Sequence, residues 1–501
     1  MNILSQLFQS VQLLFSHRNI MIPALLILFT ASLWSQPTFT SSEALGIFLA
    51  KQDKSTANGP NQLVARDVNN DGKIDLVSVS PGTDKISVLI NNGNRAFATK
   101  VDYTTGAYAN ALAASDLDGD GDIDIVTANY SDNTISIFKN NGNGTFAAKV
   151  DSTGGSGPYS VATADVDGDG DIDIVAGNQG DGTISVFLNN GNGSFAAKAD
   201  YSCGNDPRSI TAADVDGDVD VDVIVGRYVP NKVSVLLNNG NGTFGANVEY
   251  ASVGYVYSVS AADVNGDGAI DLISSNVGGI QKVSVFINNN TGNGTFASKV
   301  DYLVGGDPNS VATADVDGDG YLDMAVTAGG TQLSVLKNNG DETFATKVDY
   351  TTGSGARFVV AADFDGGGEI DLAVANSSGN SVSVFYSGYT FTVNSTSDAV
   401  AATPGDGTAL TSGGTITLRS AIQEALADGN TKDLIKVPAG TYTLTIAGKS
   451  ENAAATGDLD LKGNLTIKGA GQGSTIINAN GIDRAFHIDR KSTRLNSSHR
   501  L

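Results

Sequence analysis

The chain has 501 residues, with 54 Asp or Glu against 30 Lys or Arg, a formal net charge of −24 and an isoelectric point near 4.3. That balance leaves no basic face for a nucleic-acid partner, so the acidity serves cations, solubility or both. A hydrophobic share of 41% with 60 glycines describes a globular, turn-rich protein and excludes a disordered one.

In chain order, the first element is a leader. Residues 20–34 (IMIPALLILFTASLW) carry no charge, follow His17 and Arg18, and are short for a membrane span but suited to a signal-peptide core. Export is therefore expected, with residues 1–42 as signal peptide and short linker and either Met1 or Met21 as the start. If uncleaved, this leader is the expected membrane contact.

A strand-like segment, FLAKQD (48–53), stands alone ahead of a repeating unit. Asp67, Asp116, Asp165, Asp214, Asp263, Asp315 and Asp363 each open a copy, at spacings of 49, 49, 49, 49, 52 and 48 residues. A period of this length is that of propeller blades. Within a copy, SVATADV (160–166), IDIVAG (172–177), TISVFLN (183–189) and SFAAKADY (194–201) read as four strands, with the NGNG segment as a two-residue hairpin. The seventh copy ends at 388 without its fourth strand. Phe48 precedes Asp67 by 19 residues, as Phe146 precedes Asp165, so the lone N-terminal strand is expected to complete the last blade. Residues 43–388 are thus expected to form a seven-bladed all-β propeller.

Between the first two strands of each copy lies D-x-[DN]-x-D-G-x-x-D. Calcium takes six to eight oxygens, alternate residues of a tight loop converge on one point, and the glycine at position six permits the turn. The candidate ligand sets are complete in copies two (Asp116, Asp118, Asp120, Asp124), three (Asp165, Asp167, Asp169, Asp173) and six (Asp315, Asp317, Asp319, Asp323). Copies one (Asp67, Asn69, Asp71, Asp75) and five (Asp263, Asn265, Asp267, Asp271) keep an oxygen but lose a charge. Copy four (Asp214, Asp216, Asp218, Asp222) has Val219 in place of the glycine, which predicts strain. Copy seven (Asp363, Asp365, Asp371) has Gly367 at position five and is expected to be the weakest. A backbone carbonyl at position seven, Asp171 in copy three, adds a further oxygen. The flanks alternate as strands and position twelve is Thr127 or Ala176, which excludes an EF-hand; magnesium retains waters and suits the loops less well. Asp, Asn and Gly also make good turns without any ion, but seven copies in one register favour Ca²⁺ at up to seven sites.

These units resemble the FG-GAP or VCBS-type repeats of integrin-like β-propellers. The resemblance implies that calcium braces the blades while ligands bind elsewhere on the ring, without catalysis.

After residue 388 the pattern changes. GTITLRSAIQEALADGN (414–430) holds a helix with Leu418, Ala421, Ile422, Ala425 and Leu426 on one face and Gly429 as its stop. Short strand-like segments follow at 435–446, 459–471, 475–481 and 485–488. A helix capping rungs of short strands predicts a truncated parallel β-helix over 389–488. The stretch resembles the CSLREA domain at the head of right-handed β-helices in exported bacterial proteins, although Ile416 and Thr417 stand where that family has cysteine. The abruptly basic DRKSTRLNSSH (489–499) is similar to a translated sequencing adapter, so residues 489–501 are read as non-native.

Histidine occurs at His17, His487 and His499 alone, which leaves the propeller without a His-based catalytic arrangement. Cys203 is the single cysteine and reads as a free loop thiol. Recurring tyrosines (Tyr103, Tyr201, Tyr250, Tyr302, Tyr350) read as packing residues. The expected function is that of a secreted or cell-surface, non-catalytic calcium-binding scaffold for adhesion or for an extracellular protein or glycan partner. The alternative is a polysaccharide-active lyase or hydrolase whose active site lies on further β-helix coils.

Overall fold

The computed structural model describes residues 48–405, 408–427, 433–446, 454, 459–461, 465–470, 474–480 and 485–488. The leader (1–42) and the basic tail (489–501) lie outside the described residues.

The described residues form seven four-stranded antiparallel sheets. Blade 1 is β2–β5 (Gln62–Arg66, Asp75–Ser80, Lys85–Leu89, Val101–Thr104), and blades 2 to 6 continue in sequence order through β25 (Val348–Thr351). Blade 7 consists of β26 (Ala356–Ala362), β27 (Asp371–Asn376), β28 (Ser381–Phe385) and, on its outer edge, β1 (Gln52–Ser55). The first strands of neighbouring blades touch in succession, and the first strand of blade 7 touches that of blade 1, so they surround the axis of a closed ring. The fold is an all-β seven-bladed propeller.

The second strand of each blade is buried from end to end. In β7 (Asp124–Asn129) and β11 (Asp173–Asn178) all six residues are buried. A blade is covered on both faces by its neighbours, so its central strands need apolar side chains on both sides. Seven buried clusters result, one between each pair of adjacent blades. Between blades 1 and 2, for example, Val79, Ile86, Leu112, Ile125 and Phe138 meet. Each such side chain contributes roughly 1.5–3 kcal/mol by leaving water.

The recurring tyrosines lie across these seams. Tyr103 meets Phe146 edge-on at 5.5 Å, Tyr201 meets Phe244 at 5.4 Å and Tyr250 meets Phe296 at 5.3 Å, each pair joining one blade to the next. Phe48 takes the same part for blade 7, 5.4 Å from Tyr350 of blade 6. The N-terminal strand therefore closes the ring as expected, in the register Gln52↔Val384 to Ser55↔Ser381.

Three details differ from the sequence reading. The closing strand is Gln52–Ser55 and not 48–53, and the fourth strand of blade 3 is Ala199–Ser202 and not 194–201, because the preceding Phe is used as a plug between blades. The NGNG segment is not a two-residue hairpin. In blade 3 it is a wider turn in which Asn190 N–H donates to the Ser194 carbonyl (2.9 Å) and Asn189 bridges to Phe195, while Gly191 and Gly193 take the positive φ. Cys203 is fully buried between blades 3 and 4, and burial pushes its thiol up to about 12, so it is an inert core residue.

Beyond the ring, α1 (Leu418–Ala427) buries Leu418, Ala421, Ile422 and Ala425 against Phe391, Ile435 and Leu459. Three short parallel pairings follow: Thr390–Thr392 with Leu434–Val437 and onward to Thr466–Gly469, Gly440–Thr443 with Thr475–Asn478, and Leu459–Leu461 with Phe486–Ile488. Among the described residues no helix is long and apolar enough to cross a membrane.

Candidate metal centres

The seven acidic loops share one end of the ring with the turns between third and fourth strands, because both connections lie at the same end of an up-and-down sheet. Their first aspartate organises the turn. Asp116 accepts Gly119 N–H on Oδ1 (2.8 Å) and Gly121 N–H on Oδ2 (2.9 Å), and Asp165 and Asp315 repeat the pattern. Gly121 at φ +90° has open space where a Cβ would sit, so the glycine is required by backbone conformation and not by crowding. Val219 holds the same turn at φ +81°, with its N–H on Asp214 Oδ2 (2.9 Å), and its side chain is 84% exposed. A β-branched residue in that region is strained.

The ninth-position carboxylates are fully buried and already bonded. Asp124 accepts Leu117 N–H of its own loop (3.2 Å) and Asn140 N–H of the neighbouring turn (2.8 Å); Asp173 and Asp222 do likewise. Burial pushes these carboxyls up, to about 6 for Asp75, Asp124, Asp173, Asp271 and Asp323 and about 7 for Asp222, although the two N–H donors pull the other way. Asp371 is raised for the same reason, with Asp365 adding to it.

Carboxylate oxygens converge to within 4.8 Å in five loops: Asp116, Asp118 and Asp124; Asp165, Asp167 and Asp173; Asp214, Asp216 and Asp218; Asp315, Asp317 and Asp323; Asp363, Asp365 and Asp371. The position-five residues Asp120, Asp169 and Asp319 stay outside their groupings, each accepting the N–H of position seven (2.9–3.0 Å). In loops one and five, Asn69 and Asn265 accept the N–H of Asp71 and Asp267 (3.2 and 3.0 Å). The fit to a cation is tested by oxygens that lack donors. Oδ1 of Asp118, Asp216 and Asp317 is buried without a hydrogen-bond partner. A buried anionic oxygen left bare is costly unless something positive meets it. Hard oxygen donors of this kind, at flexible spacing, suit Ca²⁺.

Loop seven contains a cation of its own. The Arg95 guanidinium, from blade 1, pairs with Asp365 (2.8 Å) and lies over the rings of Tyr389 (4.3 Å) and Tyr386 (5.2 Å). Lys139 and Lys337 similarly pair with the outer oxygens of Asp118 and Asp317. None of these basic partners falls within the repeat motif.

A second set of residues fixes the loops. Asn189 Nδ2 donates to the Ile172 carbonyl of its own blade and to the Leu117 carbonyl of the preceding one, both at 2.8 Å. Asn91, Asn140, Asn238, Asn288 and Asn338 do the same at their seams. In blade 7 the position is Ser387, whose hydroxyl turns back to Asp371 (2.9 Å).

A family model described as an FG-GAP-like repeat matches residues 67–127, 116–176, 165–225, 214–274 and 263–326. No match is found among curated proteins. Of solved structures, BBS1N in complex with ARL6DN, soaked with mercury, aligns with a TM-score of 0.50 at 12% identity over 68% of this chain and 97% of that one. Its lead-soaked counterpart gives 0.50 at 11%, over 68% and 96%. A lectin from Agrocybe aegerita, described as recognising non-reducing terminal N-acetylglucosamine, gives 0.44 at 22%, over 64% and 87%. At these identities the two BBS1N alignments show the fold alone. The family matches tile residues 67–326, more than half the chain, and each begins on an acidic loop: the chain belongs to the FG-GAP-like repeat family.

Proposed function

We propose that this chain is an exported, calcium-binding propeller that acts without catalysis, as a scaffold for adhesion or for protein or glycan contact at the cell surface. The observation that carries the reading is the set of bare, buried oxygens on Asp118, Asp216 and Asp317 within repeated carboxylate groupings. Calcium supplies the missing positive partner there, and each bound ion joins the two halves of a loop and, through the ninth-position Asp, the neighbouring turn. FG-GAP repeats are typical of extracellular proteins, which supports export.

The test is calorimetric titration of calcium into the full chain, with thermal unfolding in calcium, magnesium or chelator. Several equivalents bound, and a midpoint that rises with calcium but little with magnesium, support the reading; an unchanged midpoint and no binding reject it.

The parallel ladders after residue 389 favour one alternative: they are read as the first coils of a β-helix whose further coils carry a lyase or hydrolase site acting on polysaccharide. Turnover of a polysaccharide by the chain extended with those coils separates this reading from a scaffold.

A further inference from the structure

The end of the ring opposite the acidic loops has a different chemistry. Six residues before each loop's first aspartate, one side chain per blade lines a cavity on the axis. Blades 1, 2 and 6 place Asn61, Asn110 and Asn309 there, and each donates to backbone of the next blade (2.9–3.0 Å). The other four form a chain across the cavity. Arg208 Nη1 donates to the Tyr159 hydroxyl (3.1 Å), the Tyr159 and Tyr257 hydroxyls are 3.3 Å apart, and Arg357 Nη1 donates to Tyr257 (3.4 Å). Arg208 also lies 4.6 Å from the ring centres of both Tyr159 and Tyr228 and is tied through Nε to Asp206 (2.8 Å).

Two arginines and no carboxylate line this cavity, in a chain with 54 acidic residues. Among the described residues Arg357 has no carboxylate partner. Arg357 thus gives the recess a positive charge that no carboxylate offsets, Arg208 is only partly offset by Asp206 beside it, and each guanidinium keeps unused N–H donors for an incoming anion.

Tyrosines lead outward from the rim. Tyr130 meets Tyr159 at 6.1 Å and Tyr108 at 6.0 Å; beyond Arg208, Tyr228 stacks on Tyr255 at 4.6 Å. Tyr108, Tyr130 and Tyr255 are 47%, 37% and 40% exposed. Repeat packing does not require them, since Gly157 and Asp206 stand at the position that Tyr108 and Tyr255 hold in their own blades. Tyr108 sits at φ +56°, where Gly157 sits at +62°, so a bulky aromatic is kept in a conformation that disfavours it.

We infer that this face binds an acidic polysaccharide, with one sugar carboxylate held in the axial cavity by Arg208 and Arg357 and adjoining sugar rings laid against Tyr108, Tyr130 and Tyr255. The inference deepens the scaffold reading and rests on it. Charge complementarity selects the anion. Exposed phenol faces, apolar in the plane and polar at the tip, suit the C–H faces and hydroxyls of pyranose rings. An acidic peptide satisfies the arginines but leaves the tyrosine run idle.

The test titrates the full, calcium-loaded chain with a galacturonic-acid oligosaccharide, with the same oligomer after its carboxyls are reduced to alcohols, and with a glutamate-rich peptide of equal charge. The uronate is expected to bind in a salt-sensitive manner, with affinity falling about tenfold or more on carboxyl reduction, in Arg357→Gln and in Tyr130→Ala. Arg66→Gln, which removes an exposed charge elsewhere, leaves it unchanged. Cooperative unfolding of each variant is checked first; if Arg357→Gln does not fold, Arg357→Lys, which keeps the charge and loses the fork, is expected to give a smaller loss. No uronate binding, equal binding of the reduced oligomer, an unaffected Arg357 variant, or preference for the peptide overturns the inference. Calcium stoichiometry measured on the same samples reports separately on the calcium reading, and peptide preference would retain a scaffold with an acidic protein partner.

Discussion

Arg95 and Asp365 are separated by 270 residues of sequence and joined by a 2.8 Å ion pair across the seam where the ring closes. The carboxylate is almost wholly buried, 2% exposed, and burial pushes its pKa up while Arg95 opposes the rise. Removing one partner of such a pair leaves a bare charge and costs about 3–5 kcal/mol. Arg95→Gln is therefore expected to lower the unfolding midpoint strongly in chelator and less in millimolar calcium, which takes over the role of the guanidinium. Equal losses in both conditions would mean that loop seven takes no ion.

Val219 gives a prediction of opposite sign. At φ +81° a valine bears strain that glycine does not, so Val219→Gly is expected to stabilise the calcium-loaded chain by about 1 kcal/mol. Denaturant unfolding of the two proteins side by side decides it, and a less stable glycine variant would remove the strain argument.

The seam asparagines are open to a direct test. Asn238 Nδ2 donates to the Val166 and Val221 carbonyls (2.7 and 2.9 Å), and Asn238→Ala leaves both without that donor. The expected cost is about 2–3 kcal/mol, read as a shifted denaturant midpoint with unchanged slope. A loss below a few tenths of a kcal/mol would mean that water replaces the amide.

Acid sensitivity is expected beyond the ring. Asp398 accepts from Arg419 (2.5 and 3.1 Å) and from the N–H groups of Thr445 and Ile446 (2.6 and 2.8 Å). Burial alone would raise its carboxyl; the Arg419 and backbone donors outweigh it and hold the group below the usual 3.8. A depressed folded-state pKa gives stability that is complete above the unfolded value and lost as pH falls through the folded one. Resistance of residues 389–488 to proteolysis in Asp398→Asn should thus fall short of wild type at pH 7 and converge with it well below pH 4. A gap that persists in acid would assign the loss to shape and not to charge.

The ring and its acidic loops were legible because each is written seven times, and the spacing of Phe48 from Asp67 disclosed how the last blade is completed. The basic partners were not. Arg95 lies outside the motif and meets Asp365 only through closure of the whole ring, and the seam asparagines sat at the ends of segments that read as third strands. The axial arginines and tyrosines were hidden for the opposite reason: the residue at their position changes from blade to blade, and a reading built on repetition passes over what does not repeat. The calcium ligands were legible as candidates, but the double bonding of each ninth-position Asp to loop and turn depends on a strand pairing that spacing alone does not specify.

The closing strand has a mechanical consequence. β1 and β28 are antiparallel, so Gln52, near the point where the chain enters the ring, lies beside Val384, near the point where it leaves. Tension applied between those two points does not shear the ladder along its length. It pulls from one end, parting first the bond from Leu49 N–H to the Tyr386 carbonyl and then the rungs from Gln52↔Val384 to Ser55↔Ser381 in turn. Opened this way the strands unzip at low force, one rung at a time, and blade 7 yields while the six blades behind it bear no load.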